Sequence, residues 1–284
     1  FFALALLAGA MVSCSTEDTA PSTQNDKVAV QFTGGISVNT RAAGLAWADG
    51  DRIGIFMTGT KQPLSADAIQ EGVDNICYQT SGSIGFSPVS GGKTVFFPID
   101  GDVDFYSYYP QTTVNDYKVA LDVTDQGKQE AIDFMYAKTE GCNKATPQVF
   151  LKFYHKLSNL VLDVQPGNGL TQEDLKKMTV TVKGQNTKAT FNLADGTISG
   201  EGNPTDIKMK TTQAGKLYEA ILLPTEEASR VIEFDLNNGY DAPFVWTMPA
   251  KLEGGKRYHY TVVKLSRSAV DISGNIEPWI KAGD

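Results

Sequence analysis

The residues able to do chemistry are few in this chain, and their spacing argues against most of it. Two histidines, His155 and His259, are present in 284 residues. Each sits inside a strand-like run, so a zinc centre would need several carboxylates to converge on one of them, and both read as structural. SGGKT, Ser90 to Thr94, ends like a phosphate-binding loop. The first glycine of that motif would fall at Ser87, however, and a strand-like run follows where a helix N-terminus must supply N–H groups, so it reads as a turn. DGDVD, Asp100 to Asp104, puts carboxylates at alternate positions as a calcium loop does. Phe105 stands in place of the necessary glycine and Gln111 in place of the closing glutamate, which leaves room for a weak, fortuitous calcium site at most. Paired carboxylates for glycoside hydrolysis need only be close in space, so spacing nominates none. The chain reads as a non-enzyme with no catalytic residue, no metal ligand set and no cofactor.

Charge narrows the partners. Asp and Glu number 33 against 25 Lys and Arg, a net charge of −8, and no basic run offsets it. Such a surface repels a polyphosphate backbone, which excludes nucleic acid. Hydrophobic residues at 41%, with aromatics spread along the chain, suffice for a buried core.

The exception is the beginning. Phe1 to Ser13, FFALALLAGAMVS, is uncharged and too short for a stable bilayer anchor, so it reads as the apolar part of a secretory signal (residues 1–13). It stops at Cys14, and STEDTAPSTQND then carries nothing apolar larger than alanine, as a flexible tether would (residues 14–26). The segment resembles a bacterial lipoprotein signal, with Met11 where leucine is preferred. The resemblance implies that Cys14 is diacylated on sulfur and becomes the new amino terminus. The alternative is an ordinary cleaved signal with an incidental cysteine. Both imply export, and an oxidising compartment permits a Cys77–Cys142 disulfide or leaves two unpaired thiols.

Strand-like runs fill the rest, among them DRIGIFMT from Asp51, VDFYSYYP from Val103, VFLKFY from Val149, KATFNL from Lys188 and RYHYTVVKLS from Arg257. Gly, Pro, Asn and Asp punctuate them. The best helical signal is Thr171 to Met178, TQEDLKKM, where Thr171 can cap the first turn and Asp174 reach back to it. The expected fold is all-β, two tandem antiparallel β-sandwich domains with few short helices. The polar stretch Gly141 to Gln148 divides them, into an N-terminal domain of residues 27–146 and a C-terminal domain of residues 147–284.

Several phrases occur in order: LAWADGDRIGIFM from Leu45, FYSYYP from Phe105, IDFMYA from Ile132, VFLKFYHKLSNLVLDV from Val149, AILLP from Ala220, GKRYHYTVVKL from Gly255 and IEPWI from Ile276. Together they resemble the fimbrillin-like family, the type V pilins of Bacteroidales bacteria. Within them Ile53, Ile55 and Met57 alternate inward, Trp47 covers an end of the core, and His155 before Lys156 and Leu157 reads as packing. Arg41 lies in VAVQFTGGISVNTRAAGLAW, Val28 to Trp47, where turn chemistry alone gives a polar loop from Thr40 to Gly44.

The resemblance gives Arg41 a second meaning. It implies a lipoprotein precursor carried to the outer membrane, an arginine-specific protease cutting between Arg41 and Ala42, and loss of the strand Val28 to Val38 together with the lipid. The emptied groove then takes the C-terminus of a neighbouring subunit, so the implied partners are other fimbrial subunits, the outer membrane before cleavage, and a host protein or glycan. An uncleaved, lipid-anchored fimbrial anchor, a carbohydrate-binding surface lipoprotein and a secreted enzyme on a sandwich scaffold are the alternatives.

Periodicity bears on the exchange. Val28, Val30, Phe32, Gly34, Ile36 and Val38 share one face of a two-residue repeat, and so do Val270, Ile272, Gly274, Ile276, Pro278 and Ile280. Glycine on glycine sets Val270 at Val30, Ile272 at Phe32 and Ile276 at Ile36. Pro278 fits less well, because it cannot donate a ladder hydrogen bond.

Overall fold

A computed structural model describes residues 27–37, 47–266 and 269–279 of the chain. Cys14, Val38, Arg41, Ala42 and Ile280 lie outside the described residues. The first strands in order are β1 (Gln31–Ile36), β2 (Asp49–Gly59), β3 (Ile76–Ser81), β4 (Gly85–Pro88), β5 (Val103–Tyr109), β6 (Lys118–Asp122), β7 (Met135–Cys142) and β8 (Gln148–His155). All but β6 form a closed barrel in the order β1-β4-β3-β2-β5-β7-β8. The barrel closes because β1 runs antiparallel to β4 and parallel to β8.

Next come β9 (Ser158–Pro166), α1 (Gln172–Leu175), β10 (Thr179–Asn192), β11 (Thr197–Lys208), β12 (Lys210–Gln213) and β13 (Leu217–Leu222). The chain continues through β14 (Arg230–Asp235), β15 (Phe244–Met248), β16 (Lys256–Ser266) and β17 (Ala269–Pro278). They build two five-stranded sheets: β11-β10-β14-β15, with β6 also paired to β10, and β12-β13-β9-β16-β17. The one α-helix among the described residues is held by a reciprocal capping box, Thr171 bonding the Asp174 amide while Asp174 bonds the Thr171 amide.

The all-β class matches the expectation, and three details depart from it. The first unit is a barrel, and β1·β8 and β9·β16 are parallel pairs. The stretch Gly141 to Gln148 connects two adjacent barrel strands, so β8 belongs with the strands before it. Conversely β6 pairs with β10 across five residues, Lys118↔Asn192 to Asp122↔Lys188. A two-residue alternation states which side chains share a face and is silent on which strand lies alongside.

Burial follows that alternation where one face meets solvent. In β8 Val149, Leu151, Phe153 and His155 point inward, while Gln148, Phe150, Lys152 and Tyr154 are exposed. Along β5 every residue is buried, since Phe105 points into the barrel and Tyr106 and Tyr108 into the second core. There Phe134 stacks on Tyr108 at 6.0 Å and meets Phe191 of β10 at 4.7 Å, which joins the barrel wall to the sheets. Aromatic pairs of this kind add about 0.5–1.5 kcal/mol beyond area burial.

Candidate functional site

Strand β1 has its side chains sorted by the pleat. Val30, Phe32 and Gly34 are buried, Val28 and Ile36 are half-buried, and Gln31 is exposed. The Phe32 ring is gripped edge-on by Tyr78 at 5.3 Å and by Phe105 at 5.1 Å. Gly34 leaves no room for a side chain: a Cβ there would lie 2.8 Å from Phe86 and 3.3 Å from Phe153. The Trp47 indole closes this end of the barrel, edge-on to Phe86, Tyr109 and Phe153, and donates to the Gly34 carbonyl at 2.8 Å.

The two flanks of β1 are unequal. Against β8 six residues are in register, from Gln31↔Gln148 to Ile36↔Phe153. Against the four-residue β4 the register holds two pairs, Phe32↔Phe86 and Thr33↔Gly85, supplemented by backbone bonds from Val30 to Val95, Phe97 to Val28 and Gly34 to Ile84. β1 is thus a stave whose removal would leave ladder groups unpaired on both neighbours and an apolar slot between them.

At the other end of the chain β17 is an edge strand, paired with β16. Val270 and Ile272 are half-buried against the second core, opposite Leu265 and Val263. Gly274 faces a bulge in β16, where a Cβ would come within 2.5 Å of the Tyr260 ring. Ile276 is 56% exposed, an unusual position for an isoleucine of a matched apolar face. Trp279 just beyond the strand is buried, with its amide bonded to the Gly255 carbonyl at 2.9 Å.

His155 lies where these two segments approach each other. Its ring stacks on Trp279 at 4.2 Å with planes 16° apart, and its Nδ1 faces Asp133 Oδ1 at 2.7 Å. A carboxylate accepts hydrogen bonds only, so Nδ1 carries the proton directed at Asp133. Nε2 has no protein partner and borders a cavity of about 40 Å3 shared with Ser37, Tyr154, Pro278 and Trp279. Serine, histidine and aspartate here resemble a hydrolytic triad in composition, but a cavity of about 40 Å3 is of the size of a water molecule and too small for a substrate.

The other residues considered for chemistry hold structure. Asp104 is fully buried and accepts from Thr60 Oγ1 and from the Lys61 and Gly141 amides at 2.9–3.0 Å, while Asp102 accepts from Asn143. Ser90 to Thr94 is a turn with no helix after it, and Lys93 donates to the Glu71 and Gly72 carbonyls. No cluster of three or more His, Cys, Asp or Glu suited to a metal occurs among the described residues. Cys77 and Cys142 are both free thiols. Burial, reinforced by Asp104 and Asp102, pushes the Cys142 thiol up to about 11.

The fimbrillin-like family profile matches residues 40–279. The chain belongs to the fimbrillin-like family. Over 293 aligned residues this fimbrillin-like chain is 33% identical to a Bacteroides uniformis protein named "Putative fimbrium subunit Fim1C", covering 97% of this chain and 93% of that one. Among solved structures it is similar to a "putative cell adhesion protein" of Bacteroides uniformis, with a TM-score of 0.76, 31% identity, and coverage of 89% of this chain and 99% of that one. A second protein so described, from Bacteroides ovatus, aligns with a TM-score of 0.72 at 25% identity over 90% of this chain and 99% of the other.

Sequence reasoning missed the approach of Trp279 to His155. Both residues stood in the quoted phrases, and their contact depends on the crossing of segments that no local spacing records. It missed likewise the closed space at Gly34, for which the glycine itself was the available signal.

Proposed function

We propose that this chain is a polymerising subunit of a cell-surface fimbria. It is exported as a lipoprotein acylated on Cys14, cut between Arg41 and Ala42, and joined to its neighbours by strand exchange. The single observation that carries the reading is the unequal seating of β1: its buried Val30 and Phe32 fill the barrel, yet one flank has only two register pairs with a four-residue strand, supplemented by an Ala29↔Phe96 bridge and separate backbone bonds. Such a stave can leave once cut, and the slot it leaves has both a ladder and side-chain pockets to offer an incoming strand.

The incoming strand is the C-terminal segment of another copy, with Val270, Ile272, Gly274 and Ile276 at the places of Val30, Phe32, Gly34 and Ile36. The glycine match has a steric reason, because any side chain at Gly34 would meet the Phe86 and Phe153 rings. Gly274 then serves twice, against Tyr260 within its own chain and against those rings in the neighbour. Burying Ile272 and Ile276 contributes about 1.5–3 kcal/mol each, with about 1 kcal/mol for each net ladder hydrogen bond.

The test is the amino terminus of mature surface protein by mass spectrometry, together with a denaturing gel run without boiling. The reading expects a terminus at Ala42 and ladders that vanish when residues 270–280 are deleted. A terminus at acylated Cys14 in all surface material would place the chain instead among uncleaved, lipid-anchored members. Ladders from the truncated form would remove the C-terminus as donor.

A further inference from the structure

The two strands whose exchange is proposed are not independent in the single chain. Ser37, directly after β1, and Pro278 and Trp279, at the end of β17, line the same small cavity around the unpartnered Nε2 of His155. Ser37 is fixed there by its amide bond to the Phe153 carbonyl, two residues before His155 on the neighbouring strand. Its buried hydroxyl lies beside the Tyr154 phenol and, after Lys152, helps lower the pKa of that phenol by hydrogen bonding. On the other side the Trp279 indole covers the imidazole face, with the Asp133 carboxylate fixing the ring from behind. The cavity, at about 40 Å3, has room for a water molecule, which needs about 10–15 Å3 of such space and two to four polar partners.

We infer that this cluster is a latch by which the seated N-terminal strand keeps the C-terminal strand folded onto its own chain. Ser37 closes the cavity beside the His155 ring, and the imidazole, held by Asp133, presents a fixed face to Trp279. Loss of the N-terminal strand removes Ser37, opens the cavity to solvent and leaves the Trp279 indole as a half-covered lid. The remaining hold on β17 is its ladder of nine residue pairs with β16, at an edge position, interrupted by the bulge opposite Gly274 and with Ile276 already turned to water. The C-terminal arm is therefore released in the chain that has been cut, rather than in every precursor. For the fate of the two strands the inference rests on the proposed function, while the latch itself rests on contacts within one chain.

The experiment is amide hydrogen exchange on the chain from residue 27, uncut, in wild type, Ser37→Ala, Trp279→Ala and the double variant. Trp279→Ala is expected to speed exchange of residues 270–277 at least tenfold, with Ser37→Ala giving a several-fold increase in the same residues. β2 and β3, paired with each other in the barrel wall, should exchange at the wild-type rate in every variant. In the double variant the Ser37→Ala increment should disappear, since the two act through one ring. Increments that multiply, or an unchanged rate in Ser37→Ala, would overturn the coupling. Trypsin-like cleavage after Arg41 should then raise exchange of residues 270–277 even when polymerisation is suppressed by dilution. Accelerated exchange without polymers under permissive conditions would leave the latch standing and refute strand exchange, whereas polymers formed with no acceleration after cutting would do the reverse.

Discussion

The indole N–H of Trp47 donates to the Gly34 carbonyl across 2.8 Å, so the chain beyond Arg41 grips the strand that precedes it. The bond is buried, and its three aromatic neighbours would remain around a phenylalanine. Trp47→Phe should therefore cost the uncut chain about 1–3 kcal/mol, chiefly through the orphaned carbonyl, measured as a shift of the urea midpoint at constant slope. After cleavage the same variant should lose residues 27–41 faster than wild type on gel filtration.

Gly34 and Ile272 test the register from opposite sides. Gly34→Ala pushes a methyl group into the Phe86 and Phe153 rings and should destabilise the uncut chain by about 1–3 kcal/mol. Ile272→Phe puts in the donor the residue that β1 itself carries between Tyr78 and Phe105. Polymers of that variant should survive higher temperature in detergent than wild-type polymers. A register displaced by one residue would turn the new ring outward and give no gain.

Ile276 and Asn275 are both exposed in the single chain, which makes their comparison a clean one. Ile276→Asp and Asn275→Asp should each leave monomer stability within about 0.5 kcal/mol of wild type. Polymer yield should fall steeply in Ile276→Asp alone, because that position forces a carboxylate into an apolar slot. Equal losses would exclude the proposed face.

Processing can be checked at two positions beyond the described residues. Cys14→Ala should abolish labelling by a fatty-acid analogue and leave the protein in the periplasm. Arg41→Ala should block maturation without blocking export. Labelling that persists in the first variant, or an Ala42 terminus in the second, would contradict the processing scheme.

The thiols offer a pH prediction. With its pKa raised to about 11, first by burial and then by Asp104 and Asp102, Cys142 holds less thiolate at pH 8 than an ordinary cysteine. Alkylation of the folded chain by iodoacetamide at this position should be slow at pH 8 and should climb with pH toward 11. Unfolding in urea at pH 8 should remove the delay. Both Cys77 and Cys142 should be alkylated without reductant.

Much of this protein could be read from its residues one local stretch at a time. Thr171 and Asp174 mark a capped helix turn because both partners of the box lie within four residues. The inward set Val30, Phe32 and Gly34 follows from the two-residue repeat, and the ordered aromatic phrases announce the fimbrillin-like family. Residue types and their periods settle such matters since the interactions involved are short in sequence.

What depends on distant partners was decided by the tertiary structure. The alternation in β8 is the same whether its neighbour is parallel or antiparallel, so the pairing with β1 that closes the barrel had no local trace. The turn before β8 looked like a linker because hairpin and interdomain turns use the same residues. β6 carries an ordinary strand pattern, yet its ladder is made with Lys188 to Asn192, far along the chain. The stack of Trp279 on His155, and the cavity they share with Ser37, exist because three segments remote in sequence cross at one point. Local chemistry sorts side chains into faces, and it is the packing of whole sheets that chooses which faces meet.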